Sequence, residues 1–248
     1  MLKIFVAPSF AVSLAVALIA SAPLVASAPL KAQSVGPVVG HRPAESPFHD
    51  VKPSQHITVF GGYFDTPQDE IGATPRGGAL IGLRYDLPVS GPAEFFVRAQ
   101  RVSSHRTAFD PSLPAATHSL GDQSVQLYIA DLGFALNLTG QKSWHSLIPV
   151  IGLGAGIATA SRSSGGKDPY NFGTQFAITA DAGLRIVPGN SYEIRLMAGN
   201  VLYQNHYPTA YYAAPVAGAD PLLSANTARS GYRANWTYTA GLAVPLFR

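Results

Sequence analysis

The last thirteen residues before the C-terminal arginine, Asn235-Trp-Thr-Tyr-Thr-Ala-Gly-Leu-Ala-Val-Pro-Leu-Phe247, alternate strictly. Even positions read Trp236, Tyr238, Ala240, Leu242, Val244 and Leu246; odd positions read Asn235, Thr237, Thr239, Gly241 and Ala243. A period of two puts successive side chains on opposite sides of an extended strand. This strand has one apolar face, aromatic at its start, and one small or polar face.

The same pattern recurs upstream. Eight segments alternate or nearly so: 56–64, 77–87, 93–102, 124–137, 146–158, 173–186, 191–202 and 233–246. None has a helical period, and their lengths suit tilted strands crossing a bilayer. Their connections alternate between short and long. Pro88–Pro92, Leu138–His145 and Pro188–Asn190 are short; 65–76, 103–123, 159–172 and 203–232 are long. Short turns at one end and long loops at the other predict an all-β, eight-stranded antiparallel up-and-down transmembrane β-barrel. An even strand count puts both chain ends on the short-turn, periplasmic side.

Residues 1–33 fit a cleaved signal peptide, with Lys3, an apolar stretch and Ala26-Ser27-Ala28 at the end. Its removal takes away two lysines and lowers the formal charge from +3 to +1. No Lys/Arg-rich run remains, so no nucleic-acid partner is expected. There is no cysteine, which excludes disulfides, thiolate metal sites and a cysteine nucleophile. Residues 34–54 are rich in Pro, Gly and Ser and read as a flexible periplasmic arm; 55–248 is the barrel domain.

One face of the strands carries no charge: Ile81, Leu83 and Tyr85; Leu132, Phe134 and Leu136; Ile178, Ala180 and Leu184. The opposite phase carries Arg84, Asp86, Glu94, Arg98, Asp131, Asp181, Arg185, Glu193 and Arg195. In a bilayer these charges belong in a polar lumen, paired with one another. The Pro188–Asn190 turn is expected to set Arg185 opposite Glu193, and the second turn to bring Arg84 and Asp86 near Glu94. Gly152, Gly154 and Gly156 share this lumen phase and make room for bulky neighbours. The aromatics fall at strand ends. Tyr85, Phe95, Trp144 and Tyr192 mark the periplasmic boundary; Tyr63, Tyr128, Phe176, Trp236 and Tyr238 mark the outer one.

Topology, alternation and the terminal strand together resemble the small eight-stranded outer-membrane barrels of the OmpA-transmembrane-domain, OmpX and OmpW type. The resemblance implies bacterial outer-membrane location, insertion by the outer-membrane assembly machinery, and contact with outer-membrane lipid and lipopolysaccharide. It also implies structural, adhesive or minor-porin roles.

Catalytic chemistry has little to stand on. The seven histidines are scattered without metal-ligand spacing, so no metal or cofactor is expected. His118-Ser119 and His145-Ser146 are adjacent, which in a strand aims them at opposite faces. The expected function is non-enzymatic, with an extracellular ligand reached through loops 103–123 and 203–232; the second holds Tyr207, Tyr211 and Tyr212. Two alternatives remain at this point: a lipid-modifying barrel enzyme, and a soluble exported ligand-binding barrel with its apolar face inward.

Overall fold

A computed structural model of the chain describes residues 46–114, 117–161, 167–189, 191–214 and 220–246. The expected signal segment lies outside the described residues. Ten strands run through them: β1 Phe48–Asp50, β2 His56–Asp65, β3 Gly78–Ser90, β4 Ala93–Phe109, β5 Ser119–Asn137, β6 Lys142–Trp144, β7 Leu147–Ala160, β8 Thr174–Ile186, β9 Glu193–His206 and β10 Ser230–Pro245.

Eight of these make a closed antiparallel barrel in the order β2-β3-β4-β5-β7-β8-β9-β10. The terminal strand closes it. β10 pairs β2 from Trp236↔Asp65 to Pro245↔His56. Closure matters because an open edge would leave backbone N–H and C=O groups without partners in lipid.

The structure also decides which face is inside. Ile81, Leu132, Leu153 and Phe176 are all more than half exposed on the outer wall. Arg84, Asp86, Asp131, Asp181 and Arg185 are buried in the lumen. A soluble barrel wrapped around a ligand would have the reverse arrangement, so that alternative falls.

Six of the eight expected segments match to within a few residues. β4 and β5 do not. They run on to Phe109 and back from Ser119, so most of the expected loop 103–123 is a hairpin ending in a loop at 110–118. The ladder continues to Ala108↔Gly121 and, across a bulge, to Phe109↔Ser119. The fourth loop is likewise shorter than 203–232, because β9 reaches His206 and β10 starts at Ser230.

At the short-turn end the connection between β5 and β7 holds the small strand β6. His145 and Ser146 are the two central residues of its tight return, with φ of 48° and 66°. That left-handed pair is the geometry of a two-residue hairpin turn. β1 pairs β6 as Phe48↔Trp144, His49↔Ser143 and Asp50↔Lys142. The part of the expected arm that is described is therefore pinned at this end rather than trailing from it. Val51 to Ser54 then border a cavity of about 290 Å³ at the barrel's lower mouth, with His56, Tyr192 and Glu193.

Candidate functional site

The inward phase of five strands brings all nine expected charges together in one connected network. Arg98 on β4 holds Asp131 on β5 (Nη2–Oδ2 2.7 Å) and Asp181 on β8 (3.1 Å). Asp181 lies 3.6 Å from Arg84 on β3, an ionic contact rather than a hydrogen bond. Arg84 Nε donates to Asp86 Oδ1 at 2.8 Å, and Asp86 also accepts from Arg195 on β9. Arg195 reaches Glu193 at 3.3 Å. Glu193 takes a bidentate fork from Arg185 on β8, at 3.0 and 2.8 Å. Arg185 also donates to Glu94 on β4, which ends the chain of contacts.

Two details of pairing differ from expectation. Arg185 faces Arg195 across the ladder, not Glu193. The connection from β8 to β9 is longer than three residues, so Glu193 is reached diagonally. Arg84 faces Arg98 and Asp86 faces Phe96, while Glu94 sits opposite Pro88 beside a bulge and turns to Arg185.

Several members of the site carry no signal in a search for charges alone. Phe96 lies under Arg84, with the guanidinium carbon 4.0 Å from the ring centre. Thr179 donates to Asp131 at 2.8 Å. Asn137 donates to Glu94 at 3.0 Å and accepts from Arg185 at 3.0 Å. His56, among the scattered histidines, lies with Nε2 3.2 Å from Glu193 Oε1. Its signal was its inward phase with Thr58 and Phe60.

The lumen glycines are part of the same packing. A Cβ at Gly152 would stand 2.8 Å from Asp181 Oδ1, and one at Gly154 2.7 Å from Thr179 Oγ1. These positions are vacated for the acids and hydroxyls of the network. What is left among the four arginines is a cavity of about 30 Å³, room for a water or two.

Above this layer the lumen changes character. Phe60, Phe64, Val102, Phe109, Leu127, Ile129, Val201 and Tyr203 form an apolar core with Tyr170, Phe172, Tyr211 and Leu223 from the outer loops. The described parts of the loops after β2, β7 and β9 fold inward as a cap. A second ion pair pins it: Arg106 Nη2 to Asp168 Oδ2, 2.7 Å. Arg106 also lies over the Tyr170 ring, and Tyr211 donates to Asp168 at 2.7 Å. Asp69 accepts from Tyr207 at 2.9 Å and from the backbone N–H of Ala73 at 3.1 Å. Burial first, then the bond to Asp168, pushes the Tyr211 hydroxyl well above the ordinary tyrosine range. Tyr207 shifts the same way beside Asp69. The loop tyrosines therefore hold the cap together: Tyr211 is fully buried, and Tyr207 and Tyr212 are partly so.

Seven of the nine expected boundary aromatics lie on the outer wall of the barrel strands; Trp144 is on β6 and Tyr192 in the β8–β9 connection. Tyr63 faces Tyr238 and Trp236 faces Asp65 at the outer end, with Tyr128 and Phe176 at similar height. At the lower end Phe95 packs edge-on against Phe134, ring centres 5.6 Å apart, and the Tyr85 hydroxyl donates to Gln55. Trp144 and Tyr192 are exposed there as well. The adjacent His145 and Ser146 occupy their turn and join no other catalytic group of the described residues.

No protein-family model matches the chain, and no curated protein does. Solved structures match in fold. Neisserial surface protein A is 11% identical over 77% of this chain and 97% of its own, with a TM-score of 0.50. The outer membrane protein OprG from Pseudomonas aeruginosa is 12% identical over 82% of this chain and 100% of its own, also at 0.50. The chain has the fold of the small eight-stranded outer-membrane β-barrels.

Proposed function

We propose that this chain is a non-enzymatic protein of a bacterial outer membrane, a sealed barrel carrying a rigid folded platform on the cell surface. The apolar outer wall requires lipid around it, and the fold is that of barrels from that membrane. The observation that carries the reading is closure at two levels. The nine paired charges fill the membrane layer of the lumen, and the apolar cap fills the layer above. An eight-stranded barrel has an interior just wide enough for its own side chains. That geometry favours a structural or adhesive role over solute passage, and it leaves the lumen's acids and arginines occupied with one another.

The β4–β5 hairpin gives the platform its projection. Outward residues above Tyr128 are polar: Ser103, His105, Asp122 and Ser124. They stand in water, available to an extracellular partner.

Planar-bilayer recording of the refolded protein tests the sealed lumen. We expect no stable conductance step; one as large as a general porin's overturns the reading. Cell fractionation tests location, with recovery in the outer membrane as a band that stays compact unheated and unfolds on boiling. Recovery as a soluble periplasmic protein would overturn it.

A further inference from the structure

The ionic layer of the lumen does not balance. Its four arginines, Arg84, Arg98, Arg185 and Arg195, meet five carboxylates, Asp86, Glu94, Asp131, Asp181 and Glu193, all of them buried. Counted as ions they sum to one negative charge, which is costly inside a barrel unless a partner compensates it. Each of the five acids already holds an arginine, so none stands apart as the neutral member. Among the described residues one further titratable side chain pairs with the layer. His56 is buried at the start of β2, with Nε2 3.2 Å from Glu193 Oε1.

The segment before β2 reaches this histidine as a strap. It pairs β6 through β1, and the Val51 N–H donates to the Gln141 carbonyl at 2.9 Å. β2 stands four places from β7 in the ring of eight strands, so residues 51–54 span the lower mouth. Val51 packs against Phe96, Ala135, Ile148 and Val150. At the far end of the strap, Ser54 Oγ lies 3.2 Å from His56 Nε2. The same ring nitrogen thus touches the strap and the ionic layer.

We propose that His56 is the fifth cation of the lumen layer and the latch that ties the strap across the mouth. An imidazolium donates from Nε2 to both Glu193 and Ser54 and brings the layer to neutrality. Nδ1 has no protein partner, and the cavity of about 290 Å³ that His56 borders has room for a water. The other charged or titratable groups around His56 are Asp86, its ladder partner on β3, Glu94 on β4, Arg185 on β8, and Lys52 and Tyr192 at the cavity. When the proton leaves, the unbalanced charge at Glu193 needs water, and the strap is what keeps water out. The lower mouth is therefore latched in neutral surroundings and loosens as they turn alkaline. A proton held more tightly in the latched state stabilises that state below the unlatched value, about 6.5 for histidine, and the gain is lost as pH rises through the latched one.

The test uses the refolded full chain in detergent. Nuclear magnetic resonance of isotope-labelled histidine, with His56 assigned through its backbone, reads the ring at about pH 7.5, where a free histidine is about nine-tenths neutral. We expect two protonated ring nitrogens; a neutral ring overturns the proposal. Hydrogen exchange at residues 48–51, corrected for the intrinsic rate, reads the strap. Its protection is expected to fall by up to about tenfold per pH unit above neutrality, while β8 and β9 stay protected. In H56Q, which keeps a hydrogen-bonding side chain but not the charge, strap protection is expected to be lower and independent of pH. Heat-modifiable migration shows that this variant is folded. Wild-type strap protection that does not change with pH overturns the proposal even if H56Q fails to fold.

Discussion

Low in the barrel, β4 turns Arg98 and Gln100 inward and Val97 and Ala99 outward. Higher on the same strand Val102 points inward, and Arg101, Ser103 and His105 point outward. β5 repeats the change, with Asp131 inside below and Leu127 and Val125 inside above. The backbone alternation holds through the inversion and breaks only at the bulge between Ala108 and Phe109; at Arg101 it is the polarity that inverts. Below the inversion the wall faces lipid, where an arginine near the midplane costs about 2–4 kcal/mol. The apolar residues go outside and the charges must pair within. Above it the wall faces water, and the strand pair reverts to an ordinary soluble core. One fold thus has two interiors, an ionic one that ties five strands together, with β2 joined through His56, and an apolar one that seats the loops.

The contrast breaks first at Arg185. It touches Glu94, Glu193 and Asn137, on three strands other than its own. Arg185→Ala strands two buried carboxylates and is expected to cost about 3–5 kcal/mol. Heat-modifiability temperature should fall for the whole barrel. Leu223→Ala, in the cap, is expected to cost about 2–5 kcal/mol of local packing, read as faster hydrogen exchange in residues 207–229. The barrel's own unfolding temperature should hardly move. If both variants shift it equally, the two interiors are one cooperative unit.

A smaller effect sharpens the ionic side. Gly152→Ala sets a methyl 2.8 Å from Asp181 Oδ1. Asp181 is held by Arg98, so the strain is expected at about 1–3 kcal/mol. Gly231→Ala, on β10 with nothing within 4 Å, is the control and should be neutral. Equal stability of the two variants would mean the lumen network is loose enough to yield.

The sequence pattern made the ionic interior legible and left the cap obscure, for physical reasons. Period-two alternation with charges in one phase exposes Arg84, Arg98, Asp131 and Asp181 directly. The outer hairpin was masked because its polarity inverts at Arg101. A reader following apolar residues outward sees the strand end there, although Val102, Ser104 and Arg106 keep the inward phase. Cap residues such as Tyr170, Tyr211 and Leu223 sit in segments without period. Their burial comes from tertiary folding over the barrel mouth. Pairing across turns was only partly readable. The Arg185↔Arg195 register depends on how many residues the β8–β9 connection consumes, which side-chain type does not encode.

The smallest effect follows from protonation. Tyr207 and Tyr211 donate to Asp69 and Asp168, and both hydroxyls are held above the ordinary tyrosine range by burial first and by these carboxylates second. A group whose folded pKa is raised contributes stability that is complete below its unfolded value, about 10 for tyrosine, and lost as pH rises through the folded one. The cap is therefore expected to keep its protection from neutral pH to about 10 and to weaken progressively above that. The lumen network is held by arginine–carboxylate pairs, which keep their charges in that window. Hydrogen exchange in residues 207–214 and 167–173, followed from pH 8 upward against the intrinsic rate, should show opening of the cap while β8 and β9 stay protected. Tyr211→Phe removes one titrating donor and should flatten part of that rise. Loss of protection at the same pH in cap and strands would mean that the Tyr–Asp bonds do not set the cap's stability, and that its apolar core alone seats the loops.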